Sequence, residues 1–263
     1  MRIVALIFII FISTYNFSNI IIEEEVELKT DFIEVDNNGF LYVVIHDKVI
    51  KYNPKGLKIA VFQTLGNKKI YSLDVSNPFK IIAFFKDYNS IELIDNTLTT
   101  LSNSFSFDNF SNLQADLVCS SNSGGLWVLA TEQNKLVKFH SNFKIDFEQS
   151  LFDSNLTKPL YMVDFAGFLY VLSEKKEIYV YNQYGIFQKT IEVNDINSFQ
   201  VDDMFIYYFD KNKNTFNTIN KEDYKSEEIK VNDSLNIISI KTAGNNVYLK
   251  STNKLYFAKM IEE

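Results

Sequence analysis

Two histidines, one cysteine and a recurring set of aspartates are the side chains of this 263-residue chain from which catalysis or metal binding could be built. Catalytic zinc needs three protein ligands and an open position. His46 and His140 cannot supply them, and they fall at the ends of what read as a second and a third strand of different repeat units, so they are not expected to meet. A reactive thiolate needs an electropositive, partly exposed setting. Cys119 follows Leu117 and Val118 and reads as a small buried hydrophobe without an intramolecular disulfide partner. No Gly-x-Ser-x-Gly elbow is present.

The aspartates are more regular. Asp36, Asp74, Asp116, Asp164 and Asp202 lie near the predicted ends of first strands. A ring of carboxylates reaching one axis could hold Ca²⁺, which takes oxygen ligands. Asp36, Asp74, Asp164 and Asp202 are the metal candidates on that reading, and calcium is the one cofactor the pattern admits. Aspartate also caps turns through bonds to nearby backbone N–H groups. Recurrence in five of the six units favours capping, because a metal site is needed only once. No catalytic and no cofactor-binding residue is assigned, and the chain is expected not to be an enzyme.

The elements that position these residues repeat. Val35–Val44 and Val49–Gly56 read as strand, Asn38-Gly39 turn, strand, turn, strand, with Pro54 and Gly56 closing the third. The second strand recurs as Leu41-Tyr42, Ile81-Ile82, Leu126-Trp127, Leu169-Tyr170, Ile206-Tyr207 and Val247-Tyr248, spaced 40, 45, 43, 37 and 41 residues apart. A period near 40 with four short strands per unit marks a propeller blade. A sandwich would also give regular strands, but not an aliphatic–aromatic pair at the same place in all units but that of Ile82. The expected fold is all-β, a single six-bladed β-propeller of four-stranded antiparallel blades over 19–263. Tyr42, Trp127, Tyr170, Tyr207 and Tyr248 should be buried between blades.

Asp36, Gly39, Leu41, Tyr42, Val43, Ile50, Tyr52, Asn53 and Gly56 resemble the NHL-type blade, and 165–171 with 178–185 repeat the pattern. The resemblance implies the six-bladed ring. It also implies that any zinc enzyme of this type would converge three histidines on the channel, more than this chain has.

The 46% hydrophobic content, with 24 Phe and 15 Tyr, is ample for one core. A net charge of −7 without a Lys/Arg cluster argues against nucleic acid. Arg2, the apolar run Ile3–Ile12 and the polar residues after it match a signal peptide over 1–18, and the run is too short to span a bilayer. No transmembrane segment is expected in the mature chain. The Asn-, Lys-, Ile- and Phe-heavy usage fits an AT-rich bacterial genome. Residues 22–28 alternate Val26 and Leu28 with glutamates, and the last unit is one strand short; the N-terminal strand should therefore complete it and close the ring.

Phe105, Phe107 and Phe110 stand in a Ser/Asn background between blades two and three. They are the partner-contact candidates if exposed, or rings buried against the next blade. These features predict an exported scaffold in the periplasm, on the periplasmic face of the outer membrane or outside the cell, with a protein partner in an envelope complex. The alternatives are a metal-dependent hydrolase or lyase in the central channel and a carbohydrate-binding propeller that stacks sugars on Trp127 and exposed tyrosines.

Overall fold

A computed structural model describes residues 17–102, 104–110, 113–151, 156–194 and 196–262. The predicted leader falls outside the described residues up to residue 16. Strand β1 is Phe17–Glu27. Blade 1 is β2 (Phe32–Val35), β3 (Leu41–Ile45), β4 (Lys48–Tyr52) and β5 (Lys58–Gln63); blade 2 is β6 (Ser72–Asp74), β7 (Ile81–Phe85), β8 (Ser90–Ile94) and β9 (Phe105–Ser106). Blade 3 is β10 (Leu117–Ser120), β11 (Leu126–Ala130), β12 (Lys135–Phe139) and β13 (Ile145–Ser150); blade 4 is β14 (Pro159–Phe165), β15 (Phe168–Ser173), β16 (Glu177–Asn182) and β17 (Phe187–Glu192). Blade 5 is β18 (Phe199–Val201), β19 (Phe205–Asp210), β20 (Thr215–Asn220) and β21 (Ser226–Lys230); blade 6 is β22 (Ser239–Ala243), β23 (Asn246–Lys250) and β24 (Lys254–Glu262), completed by β1. The fold is the expected one: six antiparallel four-stranded blades in a ring.

First strands of neighbouring blades touch, β2 with β22, β6 with β10, β10 with β14 and β14 with β18, so they line the axis. The core is six apolar clusters, one in each seam between consecutive blades. Strand alternation produces this, since successive side chains point to opposite faces and each face meets a neighbour. Tyr42, Trp127, Tyr170 and Tyr248 are buried at equivalent places, as expected. Tyr207 is the exception. It is only half-buried, stacked on Phe216 with its hydroxyl donating to the Asp202 carboxylate, and Tyr208 takes the buried position on the opposite face. Gly125 shows where a repeat tolerates no side chain: a Cβ there would lie 1.8 Å from the carbonyl oxygen of Phe139.

β1 pairs antiparallel with β24 and closes the ring as the sequence predicts, but it starts at Phe17 rather than near Ile22. A bulge between Ile22 and Glu24 changes which residues face which blade. Ile20 packs into the seam between blades 5 and 6, whereas Val26 and Leu28 pack into the seam between blades 6 and 1. The glutamates stay wet, with Glu25 3.0 Å from Lys254.

Phe105, Phe107 and Phe110 do not form an open patch. Phe107 is fully buried, Phe105 lies flat on Phe143 at 4.2 Å, and Phe110 meets Phe139 edge-on at 5.1 Å. The cause is the brevity of β9, two residues long. With so little strand to cover the seam between blades 2 and 3, the three rings fill it. Buried Asn89 fixes the loop, donating to Asp108 and to the Leu113 carbonyl while accepting from the Ala115 N–H.

Candidate functional site

Five aspartates were expected at the ends of first strands, and four are there. Asp116 precedes β10 and sits at the opposite end, where it accepts from the Thr131 N–H and hydroxyl and pairs with Lys86 at 3.0 Å. The others divide into two uses. Asp36 and Asp202 cap their own turns: Asp36 accepts from the N–H groups of Asn38 and Phe40, Asp202 from those of Met204 and Phe205, and their second oxygens take the hydroxyls of Tyr42 and Tyr207. Asp74 and Asp164 reach across seams. Asp74 accepts from Ser76 N–H in its own turn and from Ser120 N–H of blade 3. Asp164 accepts from the Trp127 indole N–H at 2.8 Å, the Ser121 hydroxyl at 3.0 Å and the Asn122 N–H at 3.1 Å, all of blade 3. Among the described residues no group of three or more His, Cys, Asp or Glu is placed to hold a metal ion. These carboxylates tie turns and blades.

Burial works to raise the Asp116 carboxyl, but the Thr131 bonds and Lys86 outweigh it and hold the group below the ordinary carboxylate range. Its folded-state pKa is thus below its unfolded one. The stability it confers is present above the unfolded value of about 3.9 and is lost as pH falls through the depressed folded value. Asp116→Asn should flatten this part of the acid limb of a stability-against-pH curve measured by urea unfolding. An unchanged acid limb would refute the assignment.

The residues that meet at the axis come from elsewhere. The residue paired with each second-strand anchor is Glu34, Asp74, Cys119, Val163, Gln200 and Lys241 in blades 1 to 6. Glu34 of blade 1 and Lys241 of blade 6 form an ion pair at 2.8 Å, with Lys241 only 1% exposed. Tyr161 of blade 4 completes a triangle. Its hydroxyl donates to Glu34 Oε2 at 3.3 Å and accepts from Lys241 Nζ at 3.3 Å, and the ammonium lies 4.6 Å from the ring centroid. Burial raises the Glu34 carboxyl above its ordinary range against the pull of Lys241. Burial, then the Glu34 charge, raises the Tyr161 phenol well above 10, so it remains a hydrogen-bond donor at physiological pH.

This triangle separates two cavities. The larger, about 660 Å³, opens where first strands end and is lined by Glu34, Asp74, Ser120, Tyr161, Asp164 and Gln200 among others. The smaller, about 320 Å³, lies where first strands begin and includes Asp31, Tyr71, Tyr161, Ser198 and Lys250. Glu34, Ser72, Leu160 and Tyr161 line both.

The remaining candidates lie apart. His46 sits in the β3–β4 turn with φ 52°, and His140 faces Asp146 at 3.2 Å on the surface. Cys119 is buried beside Trp127, and burial raises its thiol pKa, which argues against a nucleophile. Trp127 is 1% exposed, so its ring cannot serve as a platform for sugars. Among the described residues no helix is long and apolar enough to cross a membrane.

The chain matches no family model and no curated protein sequence. Solved structures do resemble it. Virginiamycin B lyase from Staphylococcus aureus aligns with a TM-score of 0.64 at 11% identity, covering 92% of this chain and 99% of that one. A streptogramin B lyase aligns at 0.60 and 13% identity, covering 87% and 78%. The Pan2 WD40 domain of Neurospora crassa aligns at 0.64 and 10% identity, covering 89% and 90%. The expectation that the chain is not an enzyme is corrected by these neighbours: two of the three are lyases with a similar fold, so the fold gives no ground for excluding catalysis. Identities this low establish architecture alone, and the chain is a six-bladed β-propeller.

Proposed function

We propose that the chain is an exported, NHL-like propeller of a bacterial envelope that offers the wide mouth of its channel to a protein partner. The observation that carries this reading is the 660 Å³ funnel, lined from five of the six blades, with Phe79 on its rim 74% exposed beside Lys80. An exposed aromatic next to a concave pocket is the composition of a binding hot spot. The rim residues Asn37, Asn77 and Ser141 supply donors and acceptors without a large charge to desolvate. Arg2 and the apolar run after it support export, and the acidic balance keeps the surface from nucleic acid.

A photo-crosslinking residue placed at position 79, in the native host, should yield one discrete adduct in the envelope fraction. The same residue at position 227 on the outer strand β21 should yield none. Equal expression with no adduct from position 79, or identical adducts from both positions, would remove the proposal.

A further inference from the structure

The residue two beyond each second-strand anchor points into the seam toward the next blade. In five blades it is Val44, Phe84, Leu129, Leu172 and Phe209, all buried and apolar. In blade 6 it is Lys250, 7% exposed. Other buried lysines have partners: Lys51 donates to the Asn96 carbonyl at 2.7 Å, Lys138 to the Ser123 hydroxyl at 2.9 Å, and Lys241 pairs with Glu34. The Lys250 ammonium, unlike its backbone, makes no hydrogen bond or ion pair among the described residues. It lines the smaller cavity instead, against Phe32, Ile33, Phe209 and Ile240, with Tyr71 and Ser239 as polar neighbours. Its amine lacks a protein acceptor and faces the cavity, where a small ligand can reach it.

The charged groups facing Lys250 are few. Asp31 leads into β2 and already accepts from the His46 N–H at 2.7 Å, Glu34 is held by Lys241, and Lys211 projects from the turn after β19. Desolvation holds the ammonium below its ordinary range; Asp31 pulls it back up and Lys211 pushes it further down. A partly desolvated lysine without a bonded carboxylate, on the wall of a cavity, is the setting of amine nucleophiles.

We infer that Lys250 is the nucleophile of a second site, in the smaller cavity, which captures small aldehydes or ketones as imines. The Nζ lone pair attacks the carbonyl carbon, and the C=O π pair moves to oxygen, which takes a proton. The carbinolamine then expels water as nitrogen gives up its protons, leaving C=N. No oxidant or reductant enters, and Tyr71 and Ser239 supply hydroxyls at the cavity wall. The inference is independent of the partner proposed for the opposite mouth.

The test is reductive trapping of the full chain with propionaldehyde and cyanoborohydride at pH 7, read by peptide mapping over time. Ordinary lysines, with pKa about 10.4, are almost wholly protonated at that pH, and each unit of lowering raises the free amine about tenfold. Lys250 should label several-fold faster than the exposed Lys158. Lys250→Met, which restores the apolar type of the other five blades, should unfold cooperatively and lose the fast adduct. Labelling of Lys250 no faster than of Lys158, or a fast adduct that survives in Lys250→Met, would overturn the inference. Should that variant fail to fold, the wild-type ratio decides alone.

Discussion

A chain lacking residues 17–27 should not yield a folded monomer. The deletion removes the whole fourth strand of blade 6. It uncovers the backbone groups of β24 that pair with Phe17 through Glu27, and buried strand groups need partners or water. It also takes Ile20 from one seam and Val26 from the next, so two of the six apolar clusters lose a wall at once. Stability of a domain is only about 5–15 kcal/mol, and the bared edge of β24 is a template for pairing with other chains. Size-exclusion chromatography should show aggregate, and calorimetry no cooperative transition. Adding a peptide of residues 17–27 in trans should recover part of the monomer. A monomeric deletion variant with a transition within a few degrees of the intact chain would show that closure contributes little.

Trp127→Ala should cost about 3–5 kcal/mol, the range for truncating a buried large aromatic. Two losses add to the cavity. The Asp164 carboxylate forfeits its indole donor at 2.8 Å, and the buried Lys138 ammonium forfeits the ring face it covers at 4.4 Å. Trp127→Phe lessens these effects: it keeps an aromatic face for Lys138 but removes the N–H and part of the ring volume, for about 1–3 kcal/mol. Because Trp127 is the one tryptophan, unfolding is followed by circular dichroism in urea. A loss under about 1 kcal/mol for the alanine variant would contradict the structural role given to this seam.

The periodic part of the structure was legible in the sequence because a blade buries the same positions each time. Leu41-Tyr42 and its five counterparts needed only strand alternation and a count. Tyr207 misled because Tyr207-Tyr208 offers two aromatics on opposite faces, and pattern alone does not say which face is filled first. Asp74 and Asp164 misled because a carboxylate near a turn reads as a local cap, whereas both span a seam. The triangle of Glu34, Tyr161 and Lys241 was hidden, since it joins blades 1, 4 and 6 and requires the ring to be closed before the three side chains meet. Lys250 was readable all along: once the anchors are aligned it is the lone charge in a column of apolar residues.

Among the described strands β1 is the first synthesised and β24, its partner, the last. At about 5–20 residues per second, roughly ten to fifty seconds of translation separate them. Throughout that interval Ile20-Ile21-Ile22 has no strand to pair with, and any factor that binds extended apolar segments has a standing target. A chain cut short before Lys254 keeps that target permanently. Closure is thereby conditional on completion: the backbone of the earliest strand finds its partner only once the latest has been made.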